Sequence, residues 1–269
     1  MSWARSEHAG GVAPGLPGAE RAWEDFHENS KTSRYGAYLP DEDVLELMSR
    51  WWEVVPYHGC PVVPLPEPAP LPVSLGEALL RRHTARALAP TPPADLLALA
   101  TLLHFGYGVT RRDEHYPRAF RTVPSGGAVY PLELYVHAAH VEGLDPGLYH
   151  FDPLEHALRR VGDGDHTERL ASSLVFADVV VAASLVVFVT ALFERSTMKY
   201  GDRGYRFVLL EAGHVAQNVN LAAAALGLGC VNLGGYFDHD VDALLGLDGL
   251  THSTIYMVAI GNEAPPASL

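Results

Sequence analysis

Lys199 and Tyr200 are adjacent, and Arg195, Arg203 and Arg206 lie within a few residues of them in the run ERSTMKYGDRGYR. Guanidinium charges held so close lower the proton affinity of an amine and of a phenol alike. A Lys or Tyr tuned in this way can move protons near neutral pH. The run leads straight into an apolar helical stretch, residues 207–228, where Glu211, His214, Gln217 and Asn218 recur at helical spacing and would share one face. Polar groups on a buried face need partners, so they either tie the helix to its neighbours or line a cavity for a polar ligand.

Three further motifs carry chemistry. In RTVPSGGAVYPLELYV, residues 121–136, Ser125, Gly126 and Gly127 let backbone approach a ligand closely and add one hydroxyl. A tight turn before a strand would need the same residues. In RRHTAR, residues 81–86, the cluster of Arg81, Arg82, His83, Thr84 and Arg86 can grip a phosphate by charge and forked hydrogen bonds. The plainer reading is a helix C-terminus whose cations offset the dipole. In NLGGYFD, residues 232–238, Gly234 and Gly235 can present amide hydrogens to a flat heterocycle, or make a bulge. A Lys-Tyr pair beside three arginines, running straight into an apolar helix with a polar stripe, has the layout of a flavin site.

Composition narrows the alternatives. A chain of 269 residues, 48% hydrophobic and 19% charged, can bury one large core and carry an N-terminal appendage. Its formal charge of -13 argues against a basic groove for nucleic acid. Cys60 and Cys230 are too few for a disulfide framework or a zinc site, and no histidine pair has metal spacing on one face, so no metal is expected. There is no GxGxxG fingerprint and no P-loop lysine motif. No signal-peptide pattern opens the chain, which makes the cytoplasm the default location. Residues 174–193 are apolar and about long enough to cross a bilayer, but Asp178, Ser184 and Thr190 interrupt them. The Val-rich run reads instead as a short helix ending near Val179 and a buried strand over 182–190, so no membrane span is expected.

These groups need elements to position them. Residues 1–18 are Gly, Ala and Pro rich and are expected to be mobile. Two helical patterns follow over 19–30 and 40–52, the second opened by Pro40 and Asp41. A proline-rich connector, 61–72, closes this N-terminal region, 1–72, and the main body spans 73–269. In the body the patterns give helices over 75–82 and 93–106 and a loop over 107–129. Strands are expected over 132–140, 147–152 and 157–161, then 182–190, 230–237 and 253–261, with a long helix from Arg206. Helices and strands mix without strict alternation, which is the α+β class.

In this order, RRHTAR, VPSGGAVYPLELYV, GLYHFDP, ERSTMKYGDRGYRFVLLEAGHVAQN, LGLGCVNLGGYFD and LLGLDG resemble the SagB-type thiazole/oxazole dehydrogenases of the FMN-dependent nitroreductase-like superfamily. The likeness covers about residues 20–261, and the KYGDRGYR run is specific to that branch. It implies an α+β sandwich, a mixed, mainly antiparallel sheet flanked by helices, in an intertwined homodimer with FMN at the subunit interface. By the resemblance, Arg82, His83, Thr84 and Arg86 match the motif that holds the FMN phosphate and ribityl chain. Pro124, Ser125, Gly126 and Gly127 match the loop that touches the isoalloxazine, from the same or the other subunit. Gly234 and Gly235 match backbone near the flavin's reactive edge, His214 and Gln217 are carried over as cofactor contacts, and Lys199 and Tyr200 match the catalytic pair. The chain departs from many nitroreductases in having no Lys or Arg after Arg206, which leaves more of the phosphate to Arg82 and Arg86. The implied activity is oxidation of peptide thiazolines or oxazolines to thiazoles or oxazoles, with a cyclodehydratase or an assembly line as partner. The alternatives are an NAD(P)H-dependent nitro- or ene-reductase on the same fold, or a non-catalytic scaffold of a peptide-modifying complex.

Overall fold

The computed structural model describes residues 22–34 and 39–264. The segment 1–18, expected to be mobile, lies outside the described residues. The N-terminal region forms α1 (Ala22–Asn29) and α2 (Asp41–Arg50), followed by β1 (Val62–Pro64). Next come α3 (Leu75–Arg81), β2 (Leu88–Ala89), β3 (Ala94–Asp95), α4 (Leu96–Tyr107), β4 (Val109–Arg111) and β5 (Phe120–Arg121). A run of strands, β6 (Leu132–Ala138), β7 (Val141–Glu142), β8 (Gly147–Asp152) and β9 (Ala157–Asp163), leads to α5 (Thr167–Ser172) and α6 (Asp178–Val181). The chain closes with β10 (Leu185–Leu192), α7 (Glu194–Tyr200), α8 (Asp202–Leu226), β11 (Gly229–Leu233), α9 (Asp238–Leu245) and β12 (His252–Glu263).

The main sheet has eight strands in the order β1-β9-β8-β6-β10-β12-β11, with β2 paired to β12. Its ladders are antiparallel, and the parallel pair β3 with β7 lies outside it. This is the α+β, mainly antiparallel arrangement expected from the motifs. Strand β10 is central and buried on both faces, which is why it reads as a continuous apolar run. Its alternate residues Leu185, Val187, Val189 and Ala191 join the core under α4 and α8, while Val186 and Phe188 face α5, α6 and α9.

Several elements differ from the sequence patterns. Residues 61–72 read as a connector, yet Val62–Pro64 pairs with β9 as an edge strand of the main sheet. The edge is where a strand tolerates proline, since one side of its backbone is left unpaired. Residues 107–129, read as a loop, contain the β4–β5 hairpin and a single 3-10 turn at Gly126–Ala128. The long helix starts at Asp202, before Arg206, and α7 precedes it. Gly201, at φ 54° and ψ -144°, forms the joint between them, in a region of backbone space open to little but glycine. The polar sequence ERSTMKY hides α7 because it lacks an apolar repeat.

The N-terminal helices are fastened to the body. Arg118 donates to the carbonyls of Met48 at 2.7 Å and Trp51 at 3.1 Å, and Ala119 N–H donates to Glu53 at 2.7 Å. Val44 and Met48 of α2 are buried with Val129 against Tyr116 and Met198, so α2 sits over the loop that carries Gly126 and Gly127.

Candidate functional site

The joint at Gly201 turns α7 back on α8, and Gly204 lets them touch: a Cβ there would lie 2.7 Å from the Ser196 carbonyl. This contact sets where Lys199 and Tyr200, at the end of α7, are aimed. Both converge on Gly127, where a Cβ would lie 2.5 Å from the Tyr200 hydroxyl and 3.3 Å from Lys199 Nζ. Gly127 has φ +64° as well, so conformation and space both require glycine there. Phe207 of α8 packs beneath Gly126, 3.2 Å from where a Cβ would stand, and edge-on to Tyr200 at 4.9 Å. Residues distant in sequence, Ser125 to Gly127 and the Lys-Tyr pair, are thus brought together within one chain. Pro124 is exposed at the start of this loop.

They open on a cavity of about 500 Å³ lined by Asp41, Val44 and Leu45 of α2, with Tyr116, Ser125 and Lys199. Asp41 faces Lys199 Nζ at 3.4 Å. Tyr116 donates its hydroxyl to the Gly127 carbonyl, and burial raises the phenol above its ordinary value. Tyr116 and the α2 residues belong to none of the motifs in the sequence. Tyr116 lies in a polar loop without periodicity, and Asp41 meets Lys199 across 158 positions of sequence, so no local signal marks either.

Two expectations are corrected. The three arginines do not crowd the Lys-Tyr pair. Arg195 is buried and turned to Glu133 at 2.7 Å and the Trp52 carbonyl at 3.0 Å. Arg206 and Arg203 reach Ser30, at 2.7 and 3.4 Å. Long guanidinium side chains go to tertiary partners that chain proximity cannot show. The polar stripe of α8 also divides. Glu211 is buried and Asn218 half-buried, the latter donating to the Phe105 and Thr122 carbonyls at 3.2 and 3.3 Å. His214 and Gln217 are exposed, away from the cavity beside Lys199. Their angular offset from Glu211 on a 3.6-residue helix carries them past the edge of the covered face.

The cationic motif lies at the opposite end of α8. Ala85 N–H donates to the Cys230 carbonyl at 3.0 Å, docking residues 82–86 on the start of β11. A cavity of about 270 Å³ there is lined by Arg81, His83, Gly227, Gly229, Cys230 and Glu263. Arg81 pairs with Glu77, and His83 meets Glu263 at 2.8 Å. The His83 imidazole is raised by its bond to the Arg81 carbonyl and then by Glu263. Arg82 and Arg86 have no ion-pair partner among the described residues, and Thr84 is exposed beside them. Gly234 and Gly235 are exposed at the far end of β11, where the Gly235 carbonyl accepts Val175 N–H at 2.9 Å. The donor set therefore suits an extended anionic cofactor: uncommitted cations at one end of β11 and open backbone at the other. With α8 running 25 residues, about 37 Å at 1.5 Å per residue, the cationic motif at its end stands apart from Lys199 and Tyr200 beside its start within one chain.

Among the described residues no group of three or more His, Cys, Asp or Glu is placed to hold a metal ion, and no helix is long and apolar enough to cross a membrane.

The family model for the nitroreductase family matches residues 79–262. A Methanocaldococcus jannaschii protein described as a nitroreductase is 40% identical over 64% of this chain and 84% of its own. The trifolitoxin-processing protein TfxB of Rhizobium leguminosarum bv. trifolii is 29% identical over 87% of the chain and 68% of its own length. The microcin B17-processing protein McbC of Escherichia coli is 32% identical over 53% of the chain, and the match spans 54% of McbC. Among solved structures, a Ralstonia eutropha nitroreductase aligns with TM-score 0.63 and 27% identity over 79% of this chain and 93% of its own. The E. coli microcin synthetase McbBCD complex with truncated pro-MccB17 bound aligns with TM-score 0.60 and 23% identity over 91% and 92%. Relatives named as microcin B17- and trifolitoxin-processing proteins are in keeping with the SagB-type resemblance of the motifs. With its family model covering well over half of the chain, this chain belongs to the nitroreductase family.

Proposed function

We propose that this protein is an FMN-dependent dehydrogenase that oxidises thiazoline or oxazoline rings in a peptide to thiazoles or oxazoles. The observation that carries the proposal is the convergence of Lys199 and Tyr200 on Gly127 at the edge of a cavity. Peptide-processing relatives support it. Bound FMN supplies the two-electron acceptor, and loss of two hydrogens leaves an aromatic ring. The chain's residues handle the rest: Tyr200 or Lys199 takes the proton from the ring carbon next to the one oxidised, and Gly127 gives the ring room to approach. Arg82, His83, Thr84 and Arg86 hold the phosphate, and Gly234 and Gly235 offer backbone N–H groups to the ring. Asp41, Val44 and Leu45 place α2 where a bound peptide enters.

A flavin cannot touch both halves of the site within one chain if they stand at opposite ends of α8, so we assign the complete site to a homodimer. Leu210, Gly213, His214 and Gln217 form an exposed stripe on α8, and Leu75, Leu79 and Leu80 of α3 are exposed as well, Leu80 by 90%. Exposed leucines beside small and polar residues fit a self-complementary interface, and it gives His214 and Gln217 a place beside the partner's half-site. A cyclodehydratase or assembly line would deliver the azoline peptide.

Replacing Lys199 by Ala and Tyr200 by Phe together is expected to leave yellow, folded, FMN-loaded protein that has lost azoline oxidation by at least about a hundredfold. Azoline oxidation at the wild-type rate by that double variant rejects the assignment. The nitroreductase of M. jannaschii, at 40% identity, favours a second reading, an NAD(P)H-consuming nitro- or ene-reductase. Rapid bleaching of bound flavin by NADPH without an azoline would select it.

A further inference from the structure

The helix pair that holds Lys199 has a cavity at each end. α2 and α7 run antiparallel: Asp41, at the start of α2, faces Lys199 near the end of α7, and the Trp52 carbonyl, just past α2, accepts from Arg195 near the start of α7 at 3.0 Å. The cavity at Lys199 occupies the first end. At the second lies a cavity of about 330 Å³, walled by Trp51, Trp52, Val55, Pro56 and Leu192 with Arg195 in its lining, and the proposed reaction gives it no task. Its wall is irregular backbone, yet it is fixed. Arg118 donates to the carbonyls of Met48 and Trp51, Arg195 to that of Trp52 and Arg121 to that of Glu53, while Val55 N–H donates to Glu133 at 3.1 Å. A guest therefore meets a surface already in its binding shape, which lowers the ordering cost of association.

The lining also defines the guest. Arg195 is 6% exposed, and of its five N–H hydrogens, bonds to Glu133, the Tyr130 carbonyl and the Trp52 carbonyl use three. The remaining two have no acceptor among the described residues. Glu133 already cancels the guanidinium charge, and Arg50 at the cavity edge pairs with Glu46. With no net charge left to repay the desolvation of a carboxylate, a neutral acceptor such as a peptide carbonyl suits those hydrogens. Trp52, 65% exposed, and its apolar neighbours suit an apolar side chain. Spacing ties this guest to the reactive pair. Arg195 and Lys199 are four residues apart, share a face of α7 and stand about 6 Å apart along its axis. About two residues of extended peptide span that length.

We infer that this cavity is a specificity subsite for the peptide: it takes the apolar side chain of a residue about two or three positions from the ring to be oxidised, and Arg195 donates to that residue's backbone carbonyl. The inference rests on the azoline-peptide reading of the site. A panel of azoline peptides tests it, each glycine-rich with a single leucine moved one position at a time along either side of the ring. FMN-loaded wild type is expected to favour one position, about two or three residues from the ring. Leucine there should lower KM by about tenfold against the peptide without leucine, with kcat little changed. Binding of the matching azole products, followed by fluorescence anisotropy, should show the same step. Trp52→Ala keeps the carbonyl that Arg195 needs and is expected to erase the preference in both KM and binding, and Trp52→Phe, which restores an aromatic wall, to recover it. Val55→Phe, which fills the cavity, should also erase it and tests the same point should Trp52→Ala misfold. Equal KM across the panel, or a preference kept in either erasing variant, overturns the subsite and leaves the azoline reading standing. A Trp52→Ala protein that falls from dimer to monomer with its peptide preference intact gives the cavity to a second copy of the chain instead. Folded, FMN-loaded wild type that oxidises no peptide of the panel overturns both.

Discussion

Glu133 is the most deeply committed charge near the site. It is 1% exposed and bonded to Arg195 at 2.7 Å, His150 at 2.8 Å and Val55 N–H at 3.1 Å. Burial alone would raise its carboxyl, but Arg195 first and His150 next overcome that and hold it at about 2. A folded value below the unfolded 4.5 means that the stabilisation is complete above 4.5 and is lost as pH falls toward 2. Glu133→Gln leaves Arg195 buried without its counter-charge and is expected to cost about 3–5 kcal/mol at neutral pH. Urea unfolding should show wild type and variant converging as the solution is acidified through that window. Since Arg195 lies one helical turn before Lys199, the same pair also anchors the helix that carries the reactive groups. The motifs pointed to Lys199, Tyr200 and the Ser125–Gly127 loop because each is a short run of distinctive residue types within the sequence. They did not show that Arg206 would reach back to Ser30 or that Glu133 would claim Arg195. Such choices depend on partners brought near only by the finished fold.

At the scale of elements, the packing of α7 on α8 aims the Lys-Tyr pair. A Cβ on Gly204 would meet backbone atoms of Ser196 at 2.7 Å and of Thr197 at 2.8 Å, and backbone cannot move aside as a flexible side chain can. Gly204→Ala is therefore expected to destabilise by about 1–3 kcal/mol. It should lower turnover more than cofactor content, as read by thermal melts beside flavin absorbance. The elements legible in sequence are those with a clear period: β8 matches its expected span of 147–152, and β6, β10 and β12 match within a few residues. The elements that were not legible have physical reasons. α7 is too polar to show a buried face, and β1 ends at Pro64, in a run of prolines that reads as a linker until it is seen to lie on an edge. α2 shows its amphipathic pattern, yet nothing in that pattern says that its apolar side covers Val129 and Met198.

At the scale of the whole molecule, α8 has the Lys-Tyr pair beside its start and the cationic motif at its end. In the proposed dimer each flavin borrows its phosphate grip from one subunit and its proton-handling pair from the other. Two crippled proteins can then repair one another: a subunit lacking Lys199 and Tyr200 still has its arginines, and a subunit lacking Arg82 and Arg86 still has its pair. Unfolding and refolding an equal mixture should restore about a quarter of wild-type turnover, the share of intact sites that random pairing creates. Either parent refolded alone should stay silent. Silence of the refolded mixture too, with mixed dimers confirmed by mass, would return both halves to a single subunit.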